Sequence, residues 1–363
     1  MSENQYMQLA LELASKAVGR TTPNPPVGAV VVRNGEIVGQ GFHPAAGQPH
    51  AEIYALEESA ERAQGATLYV TLEPCNHQGR TGPCTEAIIA AGIERVVVGA
   101  TDPNPEVSGT GIKRLAEAGI KITSGTLVDE CRRLIAPFAK HITLGLPFVT
   151  LKMAMTLDGQ TATSSGDSQW ISNETSRQHV HLMRDQSDAI MVGIGTILAD
   201  DPLLTTRLTE GGKDPIRIIV DSKLQIPESA RVFDSASTAK VLVVTTEYAD
   251  PAKLKKLQDS GVEVIVTPAN EGRVDLLAMI QELGSRDIQS ILLEGGATLA
   301  AEALRCQIVD RAAIFVAPKM LGGNDGRTLF SGPGCKQLKN AIRIKDMQVH
   351  HFDDDILIEG EIV

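Results

Sequence analysis

Aromatic residues make up only 3% of this chain, with a single tryptophan in 363 residues. A protein that stacks single-stranded bases needs more aromatic surface than that. Positive charge is also short, since 34 Lys and Arg face 45 Asp and Glu for a net charge of −11. That balance repels a polyanion and excludes an extended nucleic-acid footprint, although one or two local arginines can still hold a small phosphorylated substrate. No stretch reaches the roughly 18 uninterrupted apolar residues of a membrane helix. The opening "MSENQYMQLALELASKAVGR" reads as an amphipathic helix, without the basic start and small-residue cleavage site of a secretory leader. Cysteines number five, too few and odd for a disulfide framework, which points to a reducing, cytoplasmic setting. Cys131, Cys306 and Cys335 have no metal-type neighbours and read as buried small hydrophobes.

What the chain does have is alternation. Strand-like runs are expected at 27–32 ("VGAVVV"), 36–42, 66–72 and 95–100, with helices at the N-terminus and at 51–63, 84–92 and 111–118. A helix over 128–143 leads to "TLGLP" (143–147), a linker closed by Pro147. A second series follows, with strands at 148–155, 188–193, 216–221, 240–245, 262–267 and 289–293. Its helices are expected at 173–184, 250–259, 274–283 and 297–304, and the tail from 309 is strand-rich. The length and this break predict two α/β domains, 1–145 and 146–363.

In "QPHAEIYAL" (48–56), His50 and Glu52 stand where a helix begins, and "TLEPCNHQGRTGPCTEA" (71–87) sets Cys75 and Cys84 each after a proline. Cys84 opens a helix, where the macrodipole favours a thiolate. One His and two Cys leave a fourth zinc position for water, as catalysis requires, and Glu52 is placed to shuttle a proton from that water to a leaving amine. The competing readings are a surface cap with two core cysteines, and a closed structural zinc with His77 or His43 as fourth ligand. Neither gives Glu52 a task.

The pattern His50-x-Glu52, Pro74-Cys75 and Cys84 resembles the cytidine deaminase-like zinc hydrolases, with a longer loop between the cysteines than their H-x-E…P-C-x-x-C signature has. That loop, "NHQGRTGP", together with "TPNPPVGAVVV" (22–32) and "DPNP" (102–105), resembles the bifunctional riboflavin-biosynthesis deaminase/reductase family. The resemblance implies a cytidine deaminase-like three-layer α/β/α domain followed by a dihydrofolate reductase-like α/β domain. It implies zinc-activated water attacking the amino-bearing ring carbon of a diaminopyrimidinone ribosyl 5′-phosphate. NADPH would then reduce the ribosyl chain to ribityl, giving 5-amino-6-ribitylaminouracil 5′-phosphate. His50, Cys75 and Cys84 would hold Zn2+, with Glu52 the proton shuttle. Asn24 would read the base edge or simply make a turn. Arg80 would pair with the phosphate or stay solvated, and His43 and Asp102 are weaker candidates.

In the second half there is no G-x-G-x-x-G, so a Rossmann dinucleotide fold is not supported. "ILLEGGATLAAEAL" (291–304) reads as strand, Gly-Gly turn and helix, a backbone cradle for phosphate. By resemblance, Ala154, Trp170, Thr196, Asp200, Gly296, Ala297, Thr298 and Leu299 would line the NADPH site. Ser168, Arg184, Leu204, Arg207 and Glu294 would line the substrate, the arginines facing its phosphate. Lys152, at a strand end, would polarise the reacting group. Homo-oligomers are common in this fold class, and one is expected. Two other classes remain as alternatives: a tRNA-editing deaminase, disfavoured by charge and by the large second domain, and a zinc-stabilised nucleotide-binding scaffold.

Overall fold

Alternate residues of the valine-rich run Gly28–Arg33 go to opposite faces of a sheet, as the two-residue period of a strand requires. Ala29 and Val31 enter one buried cluster, and Val30 and Val32 enter another. This computed structural model describes residues 1–77, 82–105, 107–234 and 237–363. The chain divides into two units, Met1–Leu146 and Pro147–Val363.

Unit 1 runs α1 (Glu3–Ser15), β1 (Gly28–Arg33), β2 (Glu36–Phe42), α2 (Ala51–Ser59), β3 (Thr67–Leu72), α3 (Cys84–Ala90), β4 (Arg95–Ala100), α4 (Thr110–Glu117), β5 (Lys121–Ser124), α5 (Val128–Leu134) and α6 (Ala136–Leu144). The sheet order is β2-β1-β3-β4-β5. β1 is antiparallel to both neighbours, while β3, β4 and β5 run parallel. Ala55, Ile88 and Leu115 bring α2, α3 and α4 onto one face, and Met7, Ala10 and Cys131 bring α1 and α5 onto the other. The result is the expected three-layer α/β/α sandwich.

Unit 2 runs β6 (Phe148–Thr156), β7 (Gln160–Ala162), α7 (Glu174–Asp185), β8 (Ala189–Gly193), α8 (Ile194–Asp200), β9 (Ile216–Val220), β10 (Val241–Thr246), α9 (Pro251–Asp259) and β11 (Glu263–Thr267). It continues with β12 (Ala269–Asn270), β13 (Arg273–Val274), α10 (Leu276–Gly284), β14 (Ser290–Glu294), α11 (Ala297–Arg305), β15 (Arg311–Ala317), β16 (Arg327–Thr328), β17 (Ile344–Phe352) and β18 (Asp355–Ile362). The main sheet has the order β11-β10-β9-β8-β14-β6-β15-β18-β17. It is parallel from β11 through β15, and β18 and β17 are antiparallel additions. The carboxyl ends of β6, β8, β9 and β14 therefore open on one edge, where α/β sheets bind ligands.

Three expectations need correction. The helix expected over 128–143 is two helices, because Ile135 leaves helical geometry and Pro137, in the first turn of α6, has no N–H to give. The segment 51–63 is α-helical only to Ser59 and ends in a 3-10 turn. Cys335 is exposed, and Cys306 is half-buried with its thiol donating to Glu302, so only Cys131 behaves as a core residue. No helix among the described residues is long and apolar enough to cross a membrane.

Candidate metal centre and reductase cleft

His50 stands just before the first residue of α2 without making a side-chain capping bond, and Glu52 is buried in that first turn. Cys75 follows β3, and Cys84 is the first residue of α3. These elements bring His50 Nδ1 to 3.5 Å from Cys75 Sγ and 3.3 Å from Cys84 Sγ. A tetrahedral zinc with nitrogen at about 2.0 Å and sulfur at about 2.3 Å sets those atoms about 3.5 Å apart, so the donor set fits the ion. The Cys84 N–H donates to Cys75 Sγ at 3.4 Å. The Cys75 thiol is pulled far below its ordinary value, first by the hydrogen bond from Cys84, while that bond and burial push Cys84 up. A shared proton of this kind is what a metal ion displaces.

Glu52 is 3% exposed. Its carboxyl is pushed up to about 7, first by burial and then by the negative charge of Cys75, and it accepts a hydrogen bond from Cys84. Among the described residues the metal-type cluster holds His50, Cys75 and Cys84 alone. His43 does not supply a fourth ligand: its Nδ1 lies 2.9 Å from the Pro49 carbonyl and its Nε2 lies 3.0 Å from Asn24 Nδ2. Its ring instead packs edge-on against His50, with centroids 5.2 Å apart. Asn24 is thus drawn to the rim of the site with its amide nitrogen bound to His43. Burial raises the pKa of Asp102, opposed by its hydrogen bond from the Asn104 N–H, and Glu73, His77 and Cys75 lie within reach of its charge. Arg80 lies outside the described residues.

Glu73 escaped the sequence reading. Buried between β3 and Cys75, its carboxylate accepts from the backbone N–H groups of Asp102 (3.2 Å), Gly109 (2.9 Å), Gly111 (3.0 Å) and Ile112 (3.1 Å). This clamp holds the start of α4 against the Cys75 loop. Gly111 is part of it, because a Cβ there would meet the Pro74 carbonyl oxygen at 2.0 Å. The only sequence signal was an acidic residue at the end of an apolar strand.

In unit 2, Lys152 and Glu294 are register partners, but Lys152 lies in the middle of β6, not at a strand end as expected, while Glu294 ends β14. Glu294 accepts two hydrogen bonds from Arg184, at 2.7 and 3.0 Å, and Lys152 Nζ lies 3.9 Å away. Burial drives this carboxyl up, but Arg184 and Lys152 outweigh that and hold it down to about 2. Burial lowers the Lys152 pKa. Arg207 is exposed, has no ion pair among the described residues, and is lowered by partial burial and by Arg184 and Arg231. Leu204 sends its side chain into the core at 3% exposure, leaving only its backbone for a ligand. Ser168 is half-buried, and its neighbour Trp170 is 62% exposed, with the Arg177 guanidinium 4.6 Å from its ring.

Beside this charged cluster, a cleft of about 650 Å³ is lined by Thr196, Gly296, Thr298 and Leu299. Gly295 and Gly296 have φ of 65° and 77°, and α11 starts without a side-chain cap, so its first N–H groups face out for an anion. Ala297 is the first residue of α11. Ala154 on β6, Trp170, and Asp200 at the exposed end of α8 are not among the lining residues. The same cleft is also lined by Ser222, Lys223 and Arg273, which the sequence reading did not single out.

An open His/Cys/Cys corner with a buried carboxyl, on a three-layer sandwich, followed by a parallel-sheet unit with a phosphate cradle, defines a zinc deaminase joined to a dinucleotide-dependent reductase. Comparisons with known proteins bear this out. The cytidine and deoxycytidylate deaminase zinc-binding region matches residues 1–100, and the RibD C-terminal domain matches 147–358. The riboflavin biosynthesis protein RibD of Synechocystis is 44% identical over 360 residues, covering 99% of this chain and 96% of that protein. The solved structure of Acinetobacter baumannii RibD has 38% identity and a TM-score of 0.86, covering 99% of both chains. A diaminohydroxyphosphoribosylaminopyrimidine deaminase/5-amino-6-(5-phosphoribosylamino)uracil reductase from Thermotoga maritima has 39% identity, the same TM-score of 0.86, and 99% coverage of both chains. The chain belongs to the RibD family of bifunctional riboflavin-biosynthesis deaminase/reductases, which use Zn2+ and NADPH on a small pyrimidine phosphate.

Proposed function

We propose that unit 1 deaminates 2,5-diamino-6-ribosylamino-4(3H)-pyrimidinone 5′-phosphate and that unit 2 reduces its ribosyl chain to ribityl. The observation that carries the first step is the corner itself: three ligand atoms at zinc spacing with the Glu52 carboxyl buried over them. His50, Cys75 and Cys84 hold the metal, which when bound lowers the pKa of its water. Glu52 takes a proton from the attacking water and passes it to the leaving amine, so that ammonia departs. A buried carboxyl, whose pKa desolvation raises, is suited to take up a proton and release it again. Asn24 presents its amide oxygen to the base edge, and Arg80 meets the phosphate.

For the reductase step, NADPH supplies the hydride. Ala154, Trp170, Thr196, Asp200 and the 296–299 turn hold the cofactor, and Ser168, the Leu204 backbone, Arg184, Arg207 and Glu294 hold the substrate. Arg207, a cation without an acidic partner among the described residues, is the natural phosphate ligand. Lys152, oriented by Glu294, polarises the reacting carbon. We also assign a cytoplasmic setting, supported by five free cysteines. A homo-oligomer built through β17 fits as well: this edge strand is exposed almost throughout and carries Ile344, Met347 and Val349 outward.

The test follows ammonia and NADPH absorbance together on the diaminopyrimidinone ribosyl phosphate. Glu52→Ala is expected to keep its zinc, release no ammonia, and still oxidise NADPH on the deaminated intermediate. Near-normal ammonia release by that variant would remove Glu52 from the mechanism.

A further inference from the structure

The cleft beside the Gly295–Gly296 turn runs on to the end of β9 and to the β12–β13 hairpin, where Ser222, Lys223, Gln225 and Arg273 line it. In the sheet, β14 has β6 on one side and β8, then β9, on the other. Lys152 and Glu294 thus mark the β6 side, while Lys223 follows a strand two spacings, or about 10 Å, beyond β14. A dinucleotide with its pyrophosphate on the start of α11 and its nicotinamide toward Lys152 sends its adenosine toward β9.

That far end is tied together. The Val274 N–H donates to Ser222 Oγ at 3.0 Å, and Thr246 Oγ1 donates to the Ser222 carbonyl at 2.7 Å. Lys223 and Arg273 are the chain neighbours of the bonded pair Ser222 and Val274, so the backbones that carry them are held side by side. Both are exposed, and neither side chain makes a hydrogen bond or ion pair among the described residues, although Glu302 feels the charge of Arg273. Two acids also line the cleft. Glu302 is already bound to Arg305 at 2.6 Å and accepts from Cys306, while Glu271 sits exposed in the hairpin turn with φ 50°.

We propose that Lys223 and Arg273 bind the ribose 2′-phosphate of NADPH and so set the reductase's choice of NADPH over NADH. The 2′-phosphate is the one group that separates the two dinucleotides, and it is a dianion that needs two donors of positive charge. Ser222 and Val274 lock the backbone on which the pair is mounted. The inference rests on the assignment of NADPH to unit 2 and adds the residues that recognise it.

Calorimetric titration of the full chain with NADP+ and with NAD+ tests it, comparing wild type with Lys223→Gln, Arg273→Gln and the double variant. Each cation removed is expected to weaken NADP+ binding about tenfold to a hundredfold, leaving NAD+ binding within a factor of two. The 2′,5′-ADP fragment should lose affinity in parallel with NADP+. Equal losses for NADP+ and NAD+, or no loss for NADP+, would overturn the proposal. A wild-type chain with no preference for NADP+ would instead strike the cofactor assignment beneath it. Unchanged melting of the variants guards against misfolding as the cause of any loss.

Discussion

The two sites in this chain are built on opposite terms. The corner of unit 1 is compact in sequence: its ligands and Glu52 fall between residues 50 and 84, with Glu52 and Cys84 buried at 3% and 1% exposure and His50 and Cys75 half-buried. The cleft of unit 2 draws on residues from 193 to 302, and several of them, Lys223 and Arg273 included, are exposed. Activating water requires donors aimed in advance in a dry site, since their electrostatic effect depends on low dielectric. Hydride transfer leaves the hard chemistry to the dinucleotide, and the protein needs only to seat and orient two ligands. Side chains that wait for a ligand are free to stay open to solvent.

The contrast is most exposed to failure at Glu52. Glu52→Gln should slow ammonia release by about 10²–10⁴-fold, the usual worth of a positioned acid–base group, with reduction of the deaminated intermediate unchanged. Parallel loss of both activities would mean that the sites are not independent. Next comes Glu294→Gln, which leaves the buried Arg184 and Lys152 without their anion and should destabilise unit 2 by about 3–5 kcal/mol. Trp170, the only tryptophan, lies in unit 2 and reports its unfolding selectively. Ammonia release should persist in that variant.

The same carboxylate predicts a pH dependence. Its folded pKa of about 2 lies below the ordinary 4.5. Its stabilisation is therefore complete above pH 4.5 and lost as pH falls toward 2. The stability gap between wild type and Glu294→Gln should close over that window, and a gap unchanged at pH 2 would contradict the ion pair. The smallest effect is expected of Asn24→Ala. It removes one neutral hydrogen bond to His43, worth about 1 kcal/mol, and should lower deaminase kcat/KM several-fold while leaving zinc content alone.

The same contrast decides what could be read from the chain. His50, Glu52, Cys75 and Cys84 carry their meaning locally, because prolines and helix starts fix where each side chain goes. Glu73 and Gly111 do not: one works by collecting backbone N–H groups and the other by leaving room for a carbonyl, and neither leaves a spacing pattern. In unit 2 the strands were legible from their β-branched runs, but the site residues came only through family resemblance. Lys223 and Arg273 sit fifty residues apart and line one cleft through a hairpin too short to show periodicity. The break at Ile135 was hidden because helical periodicity continues on both sides of it.

One consequence follows from the end of β14. In the proposed assignment Glu294 holds the substrate through Arg184 and Lys152, and the next residue begins the Gly-Gly bend assigned to the dinucleotide, so both ligands would be held by adjacent peptide units of one strand. Hydrogen bonding on both flanks, to β6 and to β8, stops that strand from sliding. Under that assignment the hydride distance would be set by a rigid ruler rather than by two loops that must find each other. Changes that adapt the site to a new sugar should accumulate in the 204–207 stretch, since α7 is tied to Glu294 through Arg184.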